Sequence, residues 1–73
     1  MFCIYKNNTL HFESGATIAL EPQADGSCFV ALCASNGQSV LISQHESIDN
    51  AINALDMITV RFIQSGFVVI NAD

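Results

Sequence analysis

The chain reads as an α+β domain: an antiparallel β-meander of about five strands, one amphipathic helix packed on one face, and a final short strand, in the order β-β-β-β-β-α-β. Three observations predict it. Asp25-Gly26 and Asn36-Gly37, dipeptides that accept the positive φ of tight hairpin turns, bracket the uncharged run Ser27 to Ala34. Beyond Ser47 the apolar period changes, and Ile48, Ala51, Ile52, Leu55, Ile58 and Phe62 recur at the spacing of a helix lying on a core. After Ser65-Gly66 the chain returns to a short apolar run, Phe67 to Asn71.

Taken in order, Phe2 to Lys6 and Thr9 to Glu13 are aromatic and β-branched segments joined by Asn7-Asn8, and asparagine tolerates the left-handed backbone of a tight turn. Ala16 to Glu21 alternates in part, with Ala16, Ile18 and Leu20 on one side, and Pro22 ends that strand or marks a sheet edge. The run from Ser27 to Ala34 follows, and Asn36-Gly37 turns the chain back into Ser39 to Ser43. Ser47 suits a helix N-cap, Asp49 sits in the first turn where the helix dipole favours an anion, and Gly66 can end the helix. Thr59, Val60, Phe62 and Ile63 also suit a strand that would pair with 67–71; the unbroken stripe to Phe62 favours one continuous helix from Ser47 to Ser65. The wholly apolar last strand reads as one inserted beside another strand and buried on both sides. No internal repeat, low-complexity tract or linker divides residues 1–73, so the chain is one domain.

The run from Ser27 to Ala34 sets the central problem. Side chains alternate across a strand, so Cys28, Val30, Leu32 and Ala34 point one way and Phe29, Ala31 and Cys33 the other, with no charge in either set. One helix covers one face. A chain of 73 residues buries only about 60% of its unfolded surface, so its core needs a supplement. Hydrophobic residues make up 51% of the chain and charged residues 12%, a balance that favours a buried subunit interface.

Seven acids, Glu13, Glu21, Asp25, Glu46, Asp49, Asp56 and Asp73, stand against Lys6 and Arg61, for a net charge of -5. No cationic stripe for phosphate contacts is available, which argues against direct nucleic-acid binding and against anionic membrane surfaces. The longest uncharged stretch, Gly26 to His45, is broken by serine, asparagine, glutamine and glycine and does not read as a membrane helix. The N-terminal residues do not read as a signal peptide, and three cysteines without an export signal suggest a reduced, cytoplasmic setting.

Recognisable chemistry is absent from the pattern. Cys28 and Cys33 face opposite sides of one strand and cannot pair there, and no C-x-x-C occurs; Cys3, Cys28 and Cys33 read as core side chains. A nucleophilic cysteine needs a neighbouring cation or helix N-terminus, and His45, just before the helix, is the only candidate partner. His11 and His45 have no second histidine at ligand spacing, Asp49 and Asp56 share a helix face as solvated acids do, and no glycine-rich loop leads from a strand into a helix. We therefore assign no catalytic, cofactor-binding or metal-ligating residue.

The stretch Asn36-Gly37-Gln38-Ser39-Val40-Leu41-Ile42, followed by Ser47, Ala51, Leu55 and Ile58, resembles short uncharacterised bacterial and phage proteins in which the last hairpin of a β-meander feeds one helix. The resemblance covers about a third of the chain and implies a fold, not an activity.

The expectation for function is a self-associating interaction module, a homodimer or higher oligomer formed through the uncovered sheet face or an unpaired edge strand, with Phe29, Ala31, Cys33, Leu41, Val68 and Ile70 as interface candidates. Two alternatives stand beside it. The alanines Ala31, Ala34, Ala51 and Ala54 leave room for a small-molecule pocket between helix and sheet or at a subunit interface. The acidity suits a decoy that occupies a nucleic-acid-binding protein partner.

Overall fold

The computed structural model describes residues 1–72. It contains β1 (Phe2–Lys6), β2 (Thr9–Phe12), β3 (Thr17–Pro22), β4 (Cys28–Cys33), β5 (Ser39–His45), α1 (Ile48–Gln64) and β6 (Val68–Asn71). The strands form one sheet in the order β5-β4-β3-β2-β1-β6. Every pairing is antiparallel except that of β6, which lies parallel to β1.

The hairpins follow from the turn residues. Asn7 and Asn8 have φ of 52° and 55°, the geometry of a two-residue turn whose twist matches the flanking strands. The next three hairpins share another construction, a three-residue loop closed by glycine. Across them Phe12, Gln23 and Ala34 donate their N–H to the carbonyls of Ala16, Ser27 and Gln38 at 2.8 to 2.9 Å. In each, the residue before the glycine accepts the N–H two positions on: Ser14 from Ala16, Asp25 from Ser27, Asn36 from Gln38. The glycine takes the left-handed position of the loop, φ 89° at Gly37. Gly15, Gly26 and Gly37 thus recur at equal spacing, a regularity of turns where the sequence shows no repeat.

The helix begins at Ser47, whose Oγ accepts the N–H of Asn50 at 3.2 Å. It runs unbroken through 58–64 and ends in a Schellman motif, with Gly66 at φ 97°. There Phe67 N–H donates to the Phe62 carbonyl at 2.9 Å and Gly66 N–H to that of Ile63 at 3.1 Å. The accompanying apolar contact is the Phe62–Phe67 ring pair, 5.0 Å between centroids.

α1 takes the Cys28, Val30 and Leu32 side of the sheet. The fully covered cluster comprises Cys3, Leu10, Ile18, Cys28 and Val30 from the strands with Ala51 and Leu55 from the helix. Tyr5, Phe12, Leu20, Leu32, Ala54, Ile58, Phe62 and Val69 pack around it.

Several expected boundaries move. β2 stops at Phe12, β3 runs one residue later than expected and keeps Pro22 as its last residue, opposite Cys28, and β5 extends past Ser43 to His45. The larger correction concerns β6. It is an edge strand with Val68 61% and Ile70 45% exposed, not a strand buried on both sides. Of its apolar residues only Val69 turns toward the core, because side chains alternate along the strand, and among the described residues β6 has one neighbouring strand, β1.

Candidate interaction surface

The six interface candidates all fall on the sheet face opposite the helix. Register sets them in rows: Cys33, Thr17, His11, Ile4 and Ile70 lie side by side across β4-β3-β2-β1-β6, and Leu41, Ala31, Ala19, Thr9 and Lys6 across β5-β4-β3-β2-β1. They do not make one patch. Ala31 is only 3% exposed and Phe29 and Cys33 are half-buried, so β4 is largely covered by side chains of its neighbours. Leu41 stands at one margin, Val68 and Ile70 at the other, and Thr9, His11 and Thr17 occupy the ground between.

β5 is the most exposed apolar element of the sheet. Val40, Leu41 and Ile42 are 61%, 53% and 44% exposed, and no residue of the strand is buried. Ile42 is the extra residue of a β-bulge, since pairing steps from Leu41 opposite Ala31 to Ser43 opposite Val30. The sequence reading named Leu41 but missed Val40 and Ile42. The signal was present: a meander leaves its last strand with one neighbour unless the chain returns beside it. On the outer surface of α1, Met57 and Val60 are also exposed, but Asp56, Arg61 and Gln64 stand with them around a shallow cleft of about 340 Å³.

The two ends of the sheet differ in chemistry. At one end β3 finishes, the β3–β4 turn follows and α1 begins, so Glu21, Asp25, Glu46 and Asp49 gather there, all exposed. Asp73 lies outside the described residues. The Asp25 carboxylate accepts the Ser27 hydroxyl at 2.6 Å and its N–H at 3.0 Å, and the Ser27 hydroxyl above all holds its pKa below the usual carboxylate range. At the opposite end Phe12, Phe62 and Phe67 meet edge to face. Beside them Met1, Phe2, Phe12, Glu13, Ser14 and Phe67 line a cleft of about 320 Å³, and Glu13 Oε1 accepts the Phe2 N–H at 3.1 Å. Neither cleft is lined by the alanines that suggested a pocket between helix and sheet, and Ala51 is fully buried in the core.

The polar groups give little chemistry. Register sets His45 opposite Cys28, the juxtaposition a reactive cysteine needs, yet Cys28 is fully buried with its Sγ 3.7 Å from the Phe29 carbonyl. His45 Nε2 instead lies 2.7 Å from Ser43 Oγ. A hydroxyl and an imidazole at this distance are the first two parts of a nucleophilic set, but among the described residues no carboxylate bonds the imidazole to orient it. Burial pushes the Cys3 thiol pKa up, which disfavours its reactive thiolate. Among the described residues no three of histidine, cysteine, aspartate and glutamate come together as a metal set, and no helix is long and apolar enough to cross a membrane. Comparison with protein-family models, curated proteins and solved structures finds no match to the chain.

Proposed function

We propose that the protein is a self-associating interaction module. The observation that carries this reading is the contiguous apolar run Val40-Leu41-Ile42 on an edge strand that contains no acid, lysine, arginine or proline. Natural edge strands usually carry such guards, because an open row of N–H and C=O groups otherwise templates a further strand, and the guard that β5 does have is its bulge at Ile42. Burying the three residues against another copy removes at most roughly 250–300 Å² of surface per chain from water, each apolar Å² contributing about 25 cal/mol before the cost of association is subtracted. Light scattering or sedimentation across the micromolar range tests the reading. A reversible shift from monomer toward dimer is expected, and a strict monomer throughout overturns it.

A second reading is favoured by the cleft of about 320 Å³ at the aromatic end. Its volume lies at the lower bound for small-molecule sites, and its walls are aromatic with one carboxylate, Glu13, at hand. Ligand-detected NMR with small aromatic and alkylammonium probes tests it. Chemical-shift changes confined to Phe2, Phe12, Glu13 and Phe67 support a binding site, and no response at millimolar probe removes it.

A further inference from the structure

We infer that two copies of the chain pair through β5, edge to edge and antiparallel about a two-fold axis, so that their sheets continue into one. This inference rests on the self-association proposed above and names its surface and geometry.

Three apolar surfaces compete for the contact, and charge separates them. Stacking of open sheet faces would bury the Lys6, Thr9, His11 and Thr17 side chains along with the apolar margins, desolvating polar groups with no partner of their own. Packing through the outer surface of α1 would enclose Asp56 and Arg61 with Met57 and Val60. Of these three, only β5 offers an apolar run free of charged groups, flanked by Ser39, Ser43 and Gln44, which suit an interface rim. It is also the longer edge, seven residues against four in β6, and so offers the longer ladder.

The antiparallel sense follows from the placement of the acids. Glu46 and Asp49 lie just beyond the C-terminal end of β5, while its N-terminal end adjoins the uncharged turn Ser35-Asn36-Gly37. Antiparallel pairing places each acidic end beside the other copy's uncharged turn. Across the seven residues of β5 the two acidic ends are then roughly 24 Å apart, about three Debye lengths at physiological salt. Parallel pairing would set them side by side on molecules that each carry a net charge of -5.

The area is adequate for a weak dimer. The exposed parts of Val40, Leu41 and Ile42 from both copies amount to roughly 500–600 Å², about half of the ~1,200 Å² at the lower end of specific interfaces. The flanking polar side chains and the strand backbones supply the remainder. A contact of this size belongs to the weak, transient class, which makes the micromolar range the one to search. A two-fold contact also closes on itself, whereas pairing β5 of one copy with β6 of the next would propagate into filaments.

The experiment compares the full chain with Val40→Lys, Leu41→Lys, Met57→Lys and Val68→Lys by sedimentation velocity, with circular dichroism reporting that each variant is folded. All four positions are at least half exposed, so the substitutions leave the core intact. The inference expects a wild-type dimer whose dissociation constant rises at least about tenfold in each β5 variant, because each lysine sets a charge in the apolar part of the contact and guards the edge. The helix and β6 variants should match wild type. Slowed amide exchange confined to the β5 groups that face away from β4, lost in Leu41→Lys, gives the same answer independently. A dimer that survives both β5 substitutions overturns this inference and leaves self-association standing, as does a dimer lost through Met57→Lys or Val68→Lys. Open-ended filaments overturn the two-fold, and a wild-type monomer overturns both proposals.

Discussion

Leu55→Ala tests the seating of the helix on the sheet. Leu55 is fully buried and shares one cluster with Cys3, Leu10, Ile18, Cys28, Val30 and Ala51. Truncation removes three carbons from that cluster, about 2.4 kcal/mol at about 0.8 kcal/mol per methylene. A cavity term adds to this. Five of the neighbours stand on adjacent strands, β1 to β4, whose ladders hold them at fixed spacing, so the walls close poorly over the gap. The total loss is therefore about 3 to 4 kcal/mol. A chain of 73 residues has roughly 4 to 11 kcal/mol in all, so the variant sits near the threshold of folding. Urea titration followed by far-ultraviolet circular dichroism checks this at a concentration where the chain is monomeric. At a slope of about 1 kcal/mol per molar, the midpoint falls by about 3 M. Leu41→Ala, the same truncation at a side chain 53% exposed, is the internal control and changes monomer stability by less than about 0.5 kcal/mol. A loss below about 1 kcal/mol for Leu55→Ala would refute the reasoning, since it means that the side chain is not enclosed.

Three further outcomes follow from the same geometry. In a time course of alkylation read by mass spectrometry, half-exposed Cys33 reacts first, and buried Cys3 and Cys28 react only as the domain opens; equal rates for all three would contradict the packing. Asp25 titrates below an ordinary aspartate by NMR. Because its folded pKa is depressed, its contribution to stability is present above the unfolded carboxyl pKa and fades as pH falls through the folded one; Ser27→Ala raises the Asp25 pKa and weakens that dependence, the backbone N–H of residue 27 keeping part of it. Gly66→Ala forces a Cβ into the left-handed residue of the helix stop and lowers stability by about 1 kcal/mol in denaturant titration, although the site has open space around it. An unchanged midpoint would show that the stop is not built on φ.

The hairpins and the helix were legible because their signals are local. Asn7-Asn8, Asp25-Gly26 and Asn36-Gly37 specify left-handed backbone wherever they fall, and Ser47 and Gly66 mark the ends of one apolar stripe. The equal spacing of Gly15, Gly26 and Gly37 was equally visible, β3 and β4 with the turns that follow them taking the same length of chain. What depended on distant contacts was not legible. An apolar run such as Phe67 to Ile70 looks alike at a sheet edge and at its centre, and its pairing with β1 is set by where α1 delivers the chain. Likewise Cys28-Val30-Leu32 and Phe29-Ala31-Cys33 are equivalent by composition, and the choice between them belongs to the whole sheet. The candidate surface was half read for this reason: Leu41 was named, while Val40 and Ile42 stand out only from the position of β5 at the margin.

The arithmetic of cover explains where apolar surface remains. Six strands at about 4.8 Å spacing make a sheet roughly 25 Å wide, whereas a helix with its side chains is about 10 Å across. α1, with 17 residues, is about 25 Å long and must cross obliquely, since it leaves from β5 at one margin and delivers the chain to β6 at the other. Its backbone comes near both margins as well as β3 and β4, yet the buried strand residues of the core cluster all belong to β1 through β4. β5 and β6 contribute none, even on the side that the helix occupies. The open face needs less help than its composition suggests, because small and β-branched neighbours such as Ala19 and Thr17 already shelter Ala31 and Cys33. The shortage is lateral. A partner that relieves it has to lie alongside an edge, extending both layers at once, and a second sheet laid across the open face would leave Val40 and Ile48 exposed as they are. Of the two edges only β5 combines length with a contiguous apolar run, and that makes the margin of the sheet, more than its face, the place where this chain meets its neighbour.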